Sequence, residues 1–83
     1  MPASDHLTRD ELYARIVQAL VDARQAAKLR QVDVAERMGW PQVYVSRYEN
    51  RERKLDVAEY LEVARAIGAD PLALLAEVLD PRR

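Results

Sequence analysis

No cysteine occurs in this chain of 83 residues, which removes both a disulfide scaffold and a thiolate metal site and is compatible with a reducing cytosol. No apolar run approaches the roughly 20 residues of a membrane span. Met1 to Leu7 lacks the basic start and apolar stretch of a signal peptide. The expectation is a soluble, cytoplasmic protein without membrane association. Histidine occurs once, as His6, in a stretch expected to be a frayed tail. Ser4 and Ser46 lack a partner base, and neither a Gly-rich phosphate loop nor an HExxH helix is present. Asp56, Glu59 and Glu62 span a helix cap and a solvated face, without ligand spacing for a metal. These absences give no footing for an enzyme, a metal site or a cofactor.

An excess of positive charge is also missing: the formal net charge is -1 and the pI is near 5.8. The distribution matters more than the total. From Lys28 to Lys54 seven basic residues face four acidic ones, whereas from Leu55 to Arg83 three face six. Positive charge therefore gathers in the middle of the chain, where it forms either a solvated mixed face or an electrostatic footprint for a polyanion.

A chain of this length makes one small domain, with residues 1–83 as a single unit and a core over about 8–80. Residues 1–7 and 81–83 are expected to be flexible tails. Sustained alternation of apolar and polar residues is absent, so the chain reads as all-α with five helices. Leu12, Ile16, Leu20 and Ala23 to Ala27 mark a first helix from about Arg9 to about Lys28, opened by Thr8 with Glu11 three residues later, the capping-box pattern. A second covers roughly Gln31 to Met38 and a third roughly Gln42 to Glu49, followed by the charged loop Asn50 to Lys54. A fourth starts at the Asp56 cap with Glu59 at its third position, is expected to bury Val57, Leu61, Ala64 and Ile67, and stops at Gly68. Asp70 and Pro71 open a fifth, apolar at Leu72, Leu75, Ala76, Val78 and Leu79, which Pro81 ends. Tyr48, Val45, Val34, Met38, Leu29, Leu20, Tyr60 and Ile67 are the candidate core. Trp40 is either core or an exposed contact.

Between Arg30 and Glu49 lie a short helix led by Gln31, a turn holding Gly39, and a second short helix led by Gln42. Ala35 sits where a neighbouring helix must pack close. Gly39 breaks the helix, and Pro41 presets the first turn of the next. Such a unit puts its second helix on the surface.

These residues carry a family resemblance. Arg24 in the first helix, Gln31 and Ala35 in the second, Gly39 in the turn, the run Ser46-Arg47-Tyr48-Glu49 in the third and the Leu-rich ending after Gly68 resemble the phage-repressor and Cro type of helix-turn-helix protein, the XRE family of bacterial and phage regulators. The likeness spans about Ile16 to Leu75 and implies a five-helix lambda-repressor-like fold with double-stranded DNA as partner. It implies base contacts from the third helix. Gln42 suits adenine, Val43 a thymine methyl, Tyr44 a phosphate or base edge, and Arg47 guanine O6 and N7. Three of them have a plainer alternative: an exposed polar residue for Gln42, packing for Tyr44, phosphate neutralisation for Arg47. Gln31 resembles the family's phosphate clamp at a helix amino end, or is simply a surface Gln. Lys28, Arg30, Asn50, Arg51, Arg53 and Lys54 could supply further phosphate contacts. Arg24 and Glu49 match a structural ion pair that fixes the angle of the third helix.

Two positions depart from the pattern. Relatives commonly cap the second helix with Thr where this chain has Arg30, so that helix start is expected to fray. Relatives commonly place Gly where this chain has Arg51, so either Asn50 takes the left-handed position or the loop differs. The expectation is a transcriptional regulator, a repressor that binds an inverted-repeat operator as a homodimer through Leu72, Leu75, Ala76, Val78 and Leu79. The alternatives are an antitoxin or adaptor that grips a protein partner, and a controller protein of a restriction-modification system or mobile element.

Overall fold

The computed structural model describes residues 7–80, so His6, Ser4, Pro81 and, of the expected tails at 1–7 and 81–83, all but Leu7 lie outside the described residues. Within them the chain forms α1 (Arg9–Ala26), α2 (Gln31–Met38), α3 (Gln42–Glu49), α4 (Val57–Ile67) and α5 (Pro71–Val78). Among the described residues there is no strand, and no helix is long and apolar enough to cross a membrane.

Local chemistry explains where the helices start. Thr8 accepts from the Glu11 amide while the Glu11 carboxylate accepts from the Thr8 amide, and Asp56 and Glu59 repeat that exchange at α4. Asp70 accepts from the Leu72 amide at α5, with Pro71 in the first turn. At α2 no side chain takes the place of the Thr hydroxyl, and only the reverse half of the capping exchange is present. The Asp33 carboxylate accepts the Arg30 backbone amide at 2.8 Å and also the Arg30 guanidinium at 2.9 and 3.1 Å, which ties the start of the helix to its first turn. Those bonds, led by the guanidinium, pull the Asp33 carboxyl down to about 2.

The ends of α1 to α4 follow one rule. Leu29, Trp40, Glu52 and Ala69 each donate a backbone amide to a carbonyl five residues back, and the residue before each lies in the left-handed region. Two of those residues are Gly39 and Gly68, at φ 69° and 84°; the other two are Lys28 and Arg51, at 59° and 62°. Thus α1 stops two residues earlier than its apolar spacing implies. Of the two expected alternatives, a left-handed Asn50 or a different loop, neither holds: Asn50 stays at φ -86° and Arg51 itself takes the left-handed position. A side chain at positive φ costs about 1 kcal/mol.

The core joins Leu20 of α1, Val34 and Ala35 of α2, Val45 and Tyr48 of α3, Tyr60, Val63, Ala64 and Ile67 of α4, and Leu74 of α5. Leu29, Met38 and Trp40 are partly buried against it. Two faces differ from the sequence expectation. In α4 the inward set is Tyr60, Val63, Ala64 and Ile67, while Val57 is 77% and Leu61 43% exposed. In α5, Leu74 and Val78 turn inward, so Val78 packs within the monomer and is unavailable to the expected dimer face. Leu75 is half-buried against the core, and Leu72, Ala76 and Leu79 remain exposed. The cause is the position of the neighbouring helices: α5 lies along α1, which puts the Leu74 and Val78 side of α5 under cover.

Candidate nucleic-acid interface

Helix α3 has two unlike sides. Val45 and Tyr48 are fully buried, which fixes the inward face one turn apart. Gln42, Val43, Tyr44 and Arg47 all point to solvent, with Val43 46% and Tyr44 37% exposed. Gln42 is followed one turn later by Ser46, and Val43 by Arg47. These four make a two-row stripe in which the part-exposed Ser46 is a member that sequence reasoning passed over.

Two helices, α1 and α2, hold this helix at its carboxyl end. The Arg24 guanidinium donates through Nε to Glu49 Oε2 at 2.7 Å and through Nη2 to Glu49 Oε1 at 3.0 Å, a bidentate pair with both side chains largely buried. Its remaining Nη1 donates to the Leu29 carbonyl at 2.8 Å, which ties the α1–α2 corner to the same point. Gln31 Nε2 donates to Glu49 Oε1 at 2.8 Å, so the Gln at the start of α2 braces α3 from the other side. A carboxylate at a helix carboxyl end opposes the helix dipole, and the guanidinium offsets this. The Tyr48 hydroxyl beneath has no hydrogen-bond partner among the described residues, and burial pushes its ionisation upward.

At the amino end, Gly39 makes the left-handed turn and Pro41, at φ -60° and ψ 142°, is the residue before the helix rather than its first member. Trp40 in this turn meets Tyr44 edge to face with ring centroids 6.1 Å apart. The Arg53 guanidinium lies 5.0 Å from the Trp40 centroid and 5.2 Å from that of Tyr44. Its Nη2 meets Glu59 Oε2 at 2.6 Å.

The expected cations are thereby sorted. Lys28, Arg47 and Arg51 are exposed and make no ion pair among the described residues. Asn50 is exposed beside them at the end of α3. Arg30 is exposed but paired with Asp33. Lys54 lies 3.9 Å from Asp10 and 5.7 Å from the Tyr13 ring, a loose and mostly solvated contact. Arg53, read from sequence as one more phosphate contact, is instead paired with Glu59 and set against the Trp40 and Tyr44 rings. No group of His, Cys, Asp and Glu among the described residues could hold a metal ion.

Residues 20–74 match the family model for helix-turn-helix proteins, which covers α2, the Gly39 turn and α3 together with most of their supporting helices. Among solved structures, the XRE-family like protein from Pseudomonas syringae pv. tomato str. DC3000 is similar, with 43% identity over 83% of this chain and 84% of that one and a TM-score of 0.81. No curated protein matches. An outward helix held by a bidentate pair behind a glycine turn is the architecture of a helix-turn-helix DNA-binding domain. The chain belongs to the XRE family.

Proposed function

We propose that this protein is a sequence-specific regulator of transcription that binds an inverted-repeat operator on double-stranded DNA as a homodimer and represses by occupying a promoter. The observation that carries the reading is the division of α3. Its inner side chains are wholly covered, its end is clamped by Arg24 and Gln31, and Gln42, Val43, Ser46 and Arg47 stand outward in a stripe narrow enough for a major groove.

In this reading Gln42 contacts adenine, Val43 a thymine methyl, and Arg47 guanine or a phosphate. Lys28 and Arg51, free of ion pairs, neutralise the backbone on either side, with Asn50 and Lys54 near them. Gln31 keeps one amide hydrogen beyond its bond to Glu49 and sits at the amino end of α2, so it both braces α3 and meets a phosphate there.

The homodimer rests on apolar surface. Leu72 is 74% and Leu79 63% exposed, and beside them Tyr13, Ile16, Leu55, Val57, Tyr60 and Leu75 line an open apolar groove. A second copy laid there removes both from water, and a dimer of this kind reads half-sites about 34 to 36 Å apart, one turn of duplex.

Selection of bound fragments from random duplex DNA, followed by a gel shift across a salt series, tests all of this. The expected result is a two-fold symmetric site and steep weakening with salt. Enrichment of no sequence, with no affinity for any duplex, would leave the exposed α5 face to a protein partner and end the DNA reading.

A further inference from the structure

We infer that Arg53 is a positioning residue for sequence recognition, acting through Trp40 and Tyr44, and that it contributes no phosphate contact. The inference rests on the DNA-binding reading above and assigns a role within that same surface.

Arg53 follows α3 in the chain yet acts at the other end of it. The loop folds back, with the Glu52 and Arg53 amides donating to the Arg47 carbonyl, and the side chain then reaches the turn before α3. There the guanidinium plane serves two rings, Trp40 of the turn and Tyr44 of the first helical turn, at 5.0 and 5.2 Å. From α4 the Glu59 carboxylate holds it at 2.6 Å. The same carboxylate accepts the Asp56 amide through its other oxygen, so it is anchored by the capping exchange of α4 and has little freedom to follow Arg53 elsewhere. Three segments of chain therefore converge on one planar cation.

What is left of Arg53 argues against a phosphate. Nη2 belongs to Glu59, Nη1 is buried without a hydrogen-bond partner among the described residues, and Glu59 balances the charge. Counterion release is largest for an exposed cation without a partner carboxylate, as Lys28, Arg47 and Arg51 are, whereas Arg53 is only about one-third exposed and paired with Glu59. Its effect is mechanical instead. With Arg53 in place the Tyr44 ring is held between two fixed neighbours, and Tyr44 adjoins Val43 and lies within one turn of Gln42 and Arg47. An Arg is suited to this because a guanidinium stacks on aromatic faces while its edge takes a carboxylate, and a Lys ammonium cannot do both with one plane.

The test uses the full chain, the operator recovered by selection and an unrelated duplex, with wild type, Arg53→Lys and Arg53→Ala. Three quantities are read: the preference for operator over unrelated DNA, the slope of log affinity against log salt, and the emission of Trp40, the one tryptophan in the chain. The expected result is that both variants lose about tenfold in preference, keep the wild-type salt slope, and shift the Trp40 emission before DNA is added. Arg53→Lys retains the charge and the pair with Glu59, so it stands in for Arg53→Ala if the latter fails to fold. Overturning results are a salt slope reduced by about 0.9 per subunit with equal loss on both duplexes, full restoration of preference by Arg53→Lys, or unchanged preference in a folded variant. A wild-type protein with no preference between the duplexes ends the DNA reading itself, which separates that failure from this one.

Discussion

Arg24 and Glu49, separated by 25 positions, meet through two hydrogen bonds of 2.7 and 3.0 Å, and this pair joins the first helix to the end of the recognition helix. Because both side chains are largely out of water, the pair contributes more to the angle of α3 than to net stability. Glu49→Ala strands the guanidinium and the Gln31 amide together. Urea denaturation should record a loss of about 3 kcal/mol, whereas replacing both partners by Met should cost far less. A loss under about 1 kcal/mol for the single change would show that the pair is not buried in solution.

Leu72 and Val78 belong to one short helix but to different surfaces, which separates association from folding. Leu72→Asp should convert a dimer to a monomer in analytical ultracentrifugation with little change in monomer stability. Val78→Ala should cost about 1 to 3 kcal/mol of stability at any protein concentration. Dimers that survive Leu72→Asp would place the interface elsewhere.

Arg51 sets stability against affinity. Its left-handed backbone at φ 62° is relaxed by glycine, so Arg51→Gly should raise stability by about 1 kcal/mol. It should also weaken binding to every duplex alike and shallow the salt slope. A drop in melting temperature would mean that the side chain makes a contact stronger than the strain it carries.

Asp33 gives α2 an acid-sensitive start. Its folded-state carboxyl is lowered from 3.8 to about 2 by the Arg30 guanidinium and amide. A depressed value stabilises the fold above the unfolded pKa, and that contribution is lost as the pH falls through the folded one, between about pH 4 and pH 2. The urea midpoint of Asp33→Asn should therefore vary less with pH across that window than that of wild type. An identical pH profile would assign the acid sensitivity to the other two lowered carboxylates, Glu11 and Glu59.

Helix starts were legible in the sequence because their signals are local: Thr8 with Glu11, Asp56 with Glu59, Asp70 before Pro71, and Gln31 and Gln42 at the heads of α2 and α3. What sequence could not rank were faces and partners. In α4 two apolar stripes compete, Val57 with Leu61 and Tyr60 with Val63, and only the placement of α1, α2 and α5 decides that the second is covered. The same holds for Val78. Lys28 hid the left-handed end of α1, since glycine is the usual mark of that geometry, while at α3 the resemblance pointed to such a position without fixing which residue takes it. Arg53 reads as a free cation because Trp40, Tyr44 and Glu59 come from three other segments, and no spacing along the chain brings them together. By contrast the pairing of Arg24 with Glu49 was legible through the resemblance, and the outward stripe of α3 through the positions of Val45 and Tyr48.

The most direct measurement is the affinity of wild type and Gln42→Ala for the selected operator, for its single-base variants and for random duplex DNA. The account predicts a loss of about 1 to 3 kcal/mol on the operator, relaxed preference at one base pair per half-site, and unchanged affinity for random DNA. Equal losses on operator and random DNA would contradict it, because Gln42 would then be a general contact and α3 would not be reading sequence through it.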